Sequence, residues 1–498
     1  MRTAIWWLRR DLRLSDNQAL AAALAHADVV LPVFILDPAL LRSPRVAPRR
    51  LTFLYEGLRQ LNVTLQARGS YLIVRRGVPH EVLGALVGES GAHAVYAEAD
   101  HSPYAIRRDR QVATQVPLRL VDGLTVHAPG MVVRRDGSPY HVFTPFSRAW
   151  LALPAPAWDD LLPPPRHIPT PPGVAREALP VVEITPEFPA SEAEAHHRLM
   201  RFAGVAADVL PWTATSNCSV DETPSQSPIY QYAQVRDRMD MPGTSQLSPY
   251  LRFGMLSARQ AVVVAWRAAE RAPDAVARQS AMIWLNELIW REFYISILAH
   301  YPRVRDHAFR DDLEDIPWWN DAEHFERWRS GRTGYPVVDA AMRQLAQSGW
   351  MHNRARMIVA SFLVKDLLID WRWGERWFMQ QLLDGDLAAN NGGWQWSAGT
   401  GTDPAPYFRI FNPVTQGKKF DPLGDYVRRW VPELARVPTE YIHEPWRMSA
   451  EEQRAARCRI GADYPWPCVD HRAARQRTLA AYAAVRASYK PVGGGVSS

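Results

Sequence analysis

The sequence predicts an α/β domain with a five-stranded, parallel, doubly wound sheet, followed by a large all-α domain. Three observations lead to this prediction. Short apolar runs alternate with amphipathic helical patterns up to about residue 125, a proline-rich stretch follows, and helical patterns fill most of the remainder. Alternating strands and helices are typical of βαβ units, which have right-handed crossovers and parallel sheets covered on both faces.

The elements of the first domain follow in order along the chain. Apolar runs predict strands at residues 3–8, 29–36, 71–74, 94–97 and 118–121. Helical periodicity between them predicts helices at 17–26, 49–67, 80–87 and 104–114. The first strand is followed by Arg9, Arg10 and Asp11 and not by a glycine-rich turn, so a dinucleotide site of the Rossmann type is not expected there.

Composition shifts predict the domain boundaries. We assign 1–130 to the α/β domain, 131–190 to a linker, 191–488 to the helical domain and 489–498 to a disordered tail. Prolines at 163–165 and 171–172 exclude helix interiors and central strands, which predicts a semi-extended linker.

Bulk properties exclude several classes of protein. No apolar run has the roughly 20 residues that a membrane span needs, and the first strand does not resemble a secretory signal. The three cysteines are too dispersed for a zinc site, and their odd number argues against a disulfide framework, so we expect a reducing cytoplasm. We also expect a monomer. The net charge of +6 permits a polyanionic partner without requiring one. Most of the 20 tryptophans must lie in the core, but so many leave room for a few whose rings do chemistry or stack on bases.

One candidate site lies on a predicted helix through residues 284–294. Helical spacing places Glu287, Trp290 and Arg291 on one face, with Trp284 and Tyr294 one turn away on either side. A buried helix crossing with an internal Glu–Arg pair is the structural alternative.

A second candidate segment spans residues 349–357. A helix that begins at Asn353 places Met357 one turn later, and an isolated His352 is more often structural than a ligand.

A third segment holds Asp384, Asp386 and Asn390 before a Gly-Gly pair that we interpret as a turn between helices. Without clustered histidines or a third carboxylate, it suits hydrogen bonding to a heterocycle better than a metal.

In a fourth segment, Thr244, Ser245 and Ser248 bracket a predicted helix N-terminus. Such a terminus favours an anion such as pyrophosphate, although helix capping explains the hydroxyls equally well.

These segments contain the strings WLNELIWREFY, TGYPVVDAAMRQL, GWMHNRARM and DGDLAANNGGWQWSAGTGTDPAPYFRIFNP. From Thr3 to about Ser488 the chain resembles the photolyase/cryptochrome family, most closely the bacterial class I cyclobutane pyrimidine dimer photolyases. The resemblance implies FAD in the helical domain. It also implies a carbon–carbon lyase that repairs cyclobutane dimers in DNA, by electron transfer from excited reduced FAD to the flipped-out dimer. A cryptochrome-type blue-light receptor is the alternative.

The resemblance also implies residue roles. The FAD contacts are Tyr232, Thr244, Ser245, Leu247, Ser248, Trp284, Arg291, Asn353, Arg356, Asp384, Asp386 and Asn390, with Arg356 and Asp384 as an ion pair and Asn390 beside flavin N5. The dimer would contact Glu287, Trp290, Met357 and Trp396. Flanking phosphates would bind Arg236, Arg354 and Arg409. An electron wire would run from Trp394 through Trp371 to Trp318, with Trp319 as the alternative outer member.

Family members of this class carry an antenna chromophore. The histidine and Asn-Glu positions associated with folate are not visible around 45–50 and 104–105, which favours a deazaflavin, or an empty site, near Arg9, Phe34 and Asp100. A (6-4) photolyase would need paired histidines, and a cryptochrome a long C-terminal extension; the sequence shows neither. A basic DNA-binding module would explain the charge but not the flavin-like cavity.

Overall fold

The structure is a computed structural model that describes residues 1–182, 187–205 and 227–489. The chain forms two compact units: residues up to 235, 243–302 and 383–388 in the first, and 236–242, 303–382 and 389 onward in the second. The first compact unit therefore contains both the sheet and the helices up to residue 302. The domain boundary predicted from the sequence lies earlier, at residue 190. Cys218 and the predicted tail beyond residue 489 lie outside the described residues.

The first unit contains the predicted five-stranded parallel sheet, with strand order β3-β2-β1-β4-β5. Its strands are β1 (Thr3–Leu8), β2 (Val29–Leu36), β3 (Ile73–Arg76), β4 (Ala94–Glu98) and β5 (Leu118–Val121). Strand β3 starts two residues later than predicted, because the amide of Leu72 donates to the side chain of Asn62 (2.8 Å) and Ile73 is the first residue paired with β2. The α/β prediction is confirmed.

Five helices connect these strands: α1 (Gln18–His26), α2 (Pro38–Leu41), α3 (Pro48–Gln66), α4 (Pro79–Ser90) and α5 (Pro103–Ala113). Proline at the first or second position begins all of them except α1, where Asn17 accepts from the amide of Leu20. The short α2 was not predicted, because four residues are too few to show a helical period.

The remaining helices of this unit are α6 (Phe143–Ala152), α7 (Glu192–Ala203), α8 (Pro228–Val235), α9 (Ser248–Phe253), α10 (Ala258–Glu270) and α11 (Ala275–His300). Helix α6 lies inside the predicted linker, ahead of the dense prolines that start at Pro154, and its own Pro145 stands in the first turn, where a proline is tolerated. Farther along, extended backbone follows the sheet: the amide of Val30 donates to Pro169 (2.8 Å) and that of Glu177 to Val74 (2.8 Å).

The second unit is helical, and its described residues contain no strand of the sheet. It holds α12 (Ala322–Arg329), α13 (Pro336–Ser348), α14 (Asn353–Ser361), α15 (Trp371–Gln381), most of α16 (Leu387–Ala398), α17 (Pro413–Phe420), α18 (Asp425–Trp430), α19 (Ala450–Ala456) and α20 (His471–Ser488). A π-helical turn at Phe362–Asp366 continues α14. The all-α prediction for this part of the chain is confirmed.

The predicted turn at Gly392–Gly393 is wrong, because both glycines lie inside α16. Asn391 and Gln395, one turn apart on that helix, each donate a side-chain amide to the Val304 carbonyl at 2.8 Å. These tertiary hydrogen bonds stabilise a helix that the glycines alone would disfavour.

Candidate functional site

The three residues predicted to share one helix face, Glu287, Trp290 and Arg291, lie on helix α11 of the first unit. The indole of Trp290 stacks on Phe143 with ring centroids 3.6 Å apart and planes 5° apart, so Phe143 covers one of its faces. The Arg291 guanidinium donates to the carbonyl of Leu124 at 3.0 Å. Both side chains, like that of Glu287, are only partly buried, so the face keeps an aromatic ring, a carboxylate and a cation accessible.

The neighbouring Glu292 has a structural role that the sequence did not reveal. Its carboxylate accepts from the Trp150 indole at 2.6 Å and from the amides of Val126 and His127, so it fixes α11 against α6. Only the folded chain brings these donors together.

An aromatic cluster joins α7, α8 and α11. Phe202 lies 5.9 Å from the ring of Tyr232 and 5.1 Å from that of Trp284, centroid to centroid. The structure therefore brings two predicted cofactor residues, Tyr232 and Trp284, to the same phenylalanine.

Buried guanidinium groups gather in the first unit. Burial lowers the pKa of Arg252 to about 9 and that of Arg50 to about 10, and it also lowers the pKa of Arg291. Arg10 is paired with Asp386, and Arg252 donates to the Gly385 carbonyl at 2.9 Å. Lowered arginine pKa values mean that desolvation is incompletely compensated, so this region favours an anion.

The predicted helix N-terminus near residue 248 is α9. Leu247 occupies its N-cap position and makes no side-chain cap, so neither Thr244 nor Ser245 is the N-cap residue of this helix.

In the second unit, α14 begins at Asn353 as predicted. The His352 side chain is the N-cap and accepts from the amide of Arg354 at 3.1 Å, which confirms its structural role. Burial lowers the pKa of His352 to about 4, so its ring is neutral near physiological pH. Arg356 donates to the Met351 carbonyl at 2.8 Å, and Met357 follows, partly buried.

Arg354 carries a partner that the sequence did not suggest. Its guanidinium lies 2.7 Å from the carboxylate of Asp237 and 4.4 Å from the centroid of Phe420. Much of its charge is therefore already balanced. Arg236 is partly buried, whereas Arg409 is exposed and is preceded by Phe408, which is 60% exposed.

The amide of Asn390 is oriented by α15. Its Nδ2 donates to the Glu375 backbone carbonyl at 3.0 Å and to Glu375 Oε1 at 3.1 Å, which leaves Oδ1 as the atom not used in these bonds. Glu375 is 1% exposed. The sequence analysis missed Glu375, because its position on α15 gives no sign of its contact with α16.

The predicted wire residues differ in burial. Trp394 and Trp371 are buried, while Trp318 is partly buried and lies edge-on to Tyr482 at 6.2 Å. Trp319 is 57% exposed, with the Arg477 guanidinium 3.9 Å from its ring centroid. Trp396 is partly buried.

Among the described residues, no group of histidine, cysteine, aspartate and glutamate side chains could hold a metal ion. No helix within them is both long and apolar enough to span a membrane.

Comparison with known proteins gives full-length matches. Two protein-family models match the chain: DNA photolyase over residues 4–168, and the FAD binding domain of DNA photolyase over residues 284–484. A deoxyribodipyrimidine photo-lyase from Vibrio cholerae is 42% identical, covering 96% of this chain and 98% of its own length.

Solved structures agree. A bacterial class III photolyase from Agrobacterium tumefaciens superposes with a TM-score of 0.87 at 35% identity, covering 98% of both chains. A Synechocystis cryptochrome gives 0.84 at 29% identity over 96% of this chain and 99% of its own. An archaeal photolyase from Sulfolobus tokodaii, solved with two FAD molecules, gives 0.78 at 29% identity over 97% and 100%. The chain belongs to the DNA photolyase family, and residues 284–484 are its FAD-binding domain.

Proposed function

We propose that this chain uses light to repair cyclobutane pyrimidine dimers in DNA. The main support is the face of α11 that holds Trp290 and Glu287. Phe143 stacks on one face of the accessible Trp290 indole, and the carboxylate of Glu287 lies one helical turn away. An aromatic platform beside a carboxyl group suits a flipped-out pyrimidine dimer, whose bases must be stacked and polarised. The test is whether reduced enzyme restores an oligonucleotide with one cyclobutane dimer in blue light and leaves it unchanged in the dark.

Bound FAD, when reduced and excited by light, supplies the electron that opens the dimer. Arg252 and Arg291 in the first unit fit this cofactor, because partly desolvated guanidinium groups are suitable hydrogen-bond donors to its pyrophosphate. We assign the FAD contacts to the residues implied by the family resemblance: Tyr232, Thr244, Ser245, Leu247, Ser248, Trp284, Arg291, Asn353, Arg356, Asp384, Asp386 and Asn390.

Arg291 is our leading candidate for a pyrophosphate ligand. Its described hydrogen bond goes to a neutral carbonyl, that of Leu124, so an anion would compensate its partly buried charge more fully. The uncapped start of α9, with Thr244 and Ser245 before it, adds amide and hydroxyl donors within the same unit.

Asn390 and Glu375 act together in this proposal. Because Glu375 accepts both described hydrogen bonds of the Asn390 amide nitrogen, Oδ1 is the atom offered to the flavin. A side-chain amide there neither gives nor takes a proton readily, which suits an anionic reduced cofactor.

We expect Glu375→Ala to shorten the lifetime of reduced FAD in air without releasing the cofactor. The variant loses one of the two acceptors that hold the Asn390 amide, so Oδ1 is no longer fixed. The measurement is the return of oxidised-flavin absorbance after reduction. Asn390→Ala and the double variant complete a double-mutant cycle. If Glu375 acts through Asn390, the double variant has the same lifetime of reduced FAD as Asn390→Ala alone. Fully additive effects would contradict this role.

The dimer contacts are assigned to the four side chains that the family resemblance implies: Glu287, Trp290, Met357 and Trp396. Stacking on Trp290 and Trp396 would contribute about 1–3 kcal/mol per base. Glu287 would hydrogen-bond the carbonyl edge of the dimer, where negative charge develops during cleavage.

Arg236, Arg354 and Arg409 would bind phosphates beside the lesion. Contacts of this kind position the strand without reading its sequence. Because Asp237 already balances Arg354, this arginine would contribute less than a free cation.

We expect Asp237→Asn to tighten DNA binding and to steepen the dependence of log K on log salt by up to about 0.9 on duplex DNA. The change frees the Arg354 guanidinium to bind a phosphate. Asp240→Asn is the matched control, since it frees Arg238 from an ion pair in the same segment. An unchanged slope in Asp237→Asn would remove Arg354 from the phosphate-binding set.

Trp394, Trp371 and Trp318 would pass electrons inward to the cofactor. The Arg477 guanidinium lies 3.9 Å from the Trp319 ring centroid, and a cation over a ring opposes removal of an electron from it, which supports Trp318 as the outer member.

A deazaflavin antenna is proposed at the carboxyl ends of β1 and β4, where the strand order of the sheet reverses. A small, partly open pocket lies there, lined by Arg10, Asp100, His101, Ser102, Leu124, Ile295, Leu298, Asp386, Leu387 and Ala388. Of the three residues predicted near the antenna, Asp100 lines this pocket, Arg9 is paired with Asp109 at 2.6 Å, and Phe34 is buried. Arg10, which follows Arg9, also lines the pocket and is paired with Asp386.

The absorption spectrum of purified protein tests the antenna. We expect a violet band beyond those of one FAD; a second FAD equivalent would favour a flavin, and one FAD alone would contradict any antenna. The proposal also includes a monomer in the cytoplasm, and the free thiols of Cys458 and Cys468 suit a reducing compartment.

A further inference from the structure

Trp328 is a fully buried indole that the proposed wire does not use. It lies on α12, is 0% exposed, and donates its indole N–H to the Val359 carbonyl at 3.0 Å. Its ring meets that of Trp394 edge to face, with centroids 6.0 Å apart and planes at 72°. This is direct contact between two oxidisable side chains in one unit.

A chain of aromatic rings continues outward from Trp328. Phe325 stacks on it at 5.7 Å and meets the ring of Trp373 edge-on at 5.2 Å. Trp373 is partly exposed, so its indole can exchange a proton with water. Phenylalanine is much harder to oxidise than tryptophan, so Phe325 would act as a bridge and not as a stopping point.

Helix α15 is shaped to accept the Trp394 ring. A Cβ atom at Gly374 would lie 2.1 Å from Cη2 of Trp394, so only glycine allows this close approach. Gly374 immediately follows Trp373, and the ring of Trp394 is thereby held beside α15 and against Trp328.

Ring contact selects Trp373 as the outer end, because its ring meets that of Phe325 at 5.2 Å. The Arg329 guanidinium lies 5.2 Å from the ring centroid of the neighbouring Trp377, but Glu326 balances its charge. Trp371, in the family wire, also has a guanidinium over its ring, that of Arg372 at 4.9 Å, although Asp370 and Glu314 balance its charge.

We propose that Trp328 and Trp373 form a second branch of the electron wire, which leaves Trp394 independently of Trp371. The inference rests on the proposed role of Trp394. Trp394 loses an electron to the photoexcited oxidised FAD and regains one from Trp328, which is reduced in turn by Trp373. The Trp373 radical cation releases its indole proton to water, and an external thiol later returns one electron and one proton. Trp328 keeps its proton throughout, because the Val359 carbonyl is not a base.

The test is transient absorption of tryptophan radicals in FAD-loaded enzyme after a laser flash. In Trp371→Phe, which blocks the family wire, a long-lived tryptophan radical is expected to persist. Adding Trp328→Phe to this variant should lower the yield of long-lived tryptophan radical to that of Trp394→Phe. Trp373→Phe, a change near the surface, should shorten the radical lifetime in the same background without disturbing the core.

Trp430→Phe is the matched control, because Trp430 belongs to the same core cluster at 9% exposure. FAD content and melting temperature must match across the variants that are compared. If Trp371→Phe already removes all long-lived radical, the second branch through Trp328 and Trp373 is contradicted, whereas the proposed wire through Trp371 is supported. If Trp394→Phe keeps the wild-type radical yield, the proposed role of Trp394 fails instead.

Discussion

Replacing Trp394 by phenylalanine is expected to abolish the photoreduction of bound oxidised FAD. Both routes proposed for incoming electrons pass through Trp394 as their last step before the cofactor. A phenyl ring is too hard to oxidise to replace its indole. The side chain is 2% exposed and packs edge-on against Phe378 at 5.0 Å, so phenylalanine fits the same apolar site. The measurement is the loss of oxidised-flavin absorbance under blue light with a thiol donor.

Repair should survive the same substitution when the enzyme is first reduced with dithionite, because repair itself does not draw electrons through the wire. Trp430→Phe serves as the control for a tryptophan lost from the same core. Simultaneous loss of photoreduction and of dithionite-supported repair would show that Trp394 is structural.

Cyclobutane dimers are expected to be repaired and (6-4) products to be left unchanged. A cyclobutane dimer fragments after gaining one electron, so it requires a close flavin, a polarising carboxyl group and an apolar clamp. A (6-4) product must also move an oxygen between bases, which calls for a proton donor such as a protonated histidine. On α14, His352 is buried, caps the helix and has its pKa lowered to about 4, so it is not protonated at neutral pH.

The measurement is chromatographic separation of products after illumination of reduced enzyme with oligonucleotides that carry one defined lesion of each type. Light-dependent reversal of the (6-4) lesion, or dark reversal of either lesion, would overturn the assignment. Glu287→Ala should lower the repair yield per photon while FAD stays bound, since Glu287 is assigned to the dimer and not to the cofactor.

Local patterns in the sequence predicted much of the fold because the elements concerned have strong local signals. Strands β1, β2 and β5 begin and end at the predicted residues. Strands β1 and β2 are apolar runs with charged residues on both sides, and β5 lies between Pro117 and Asp122. Helix α14 likewise begins at Asn353, where His352 caps it. Helix α6 was missed, because the proline-rich sequence after it dominated the prediction for that region.

The sequence by itself determined the sheet, the helical second half, the family and the identities of the candidate site residues, since residue identity and short-range spacing are enough for these. Tertiary structure alone decided which partners those residues have. It placed Asp237 against Arg354, Glu375 against Asn390 and Trp328 against Trp394, and it continued a helix through Gly392 and Gly393. Each depends on side chains or backbone groups far apart in the chain, and contacts of that kind leave no periodic trace in the order of the residues.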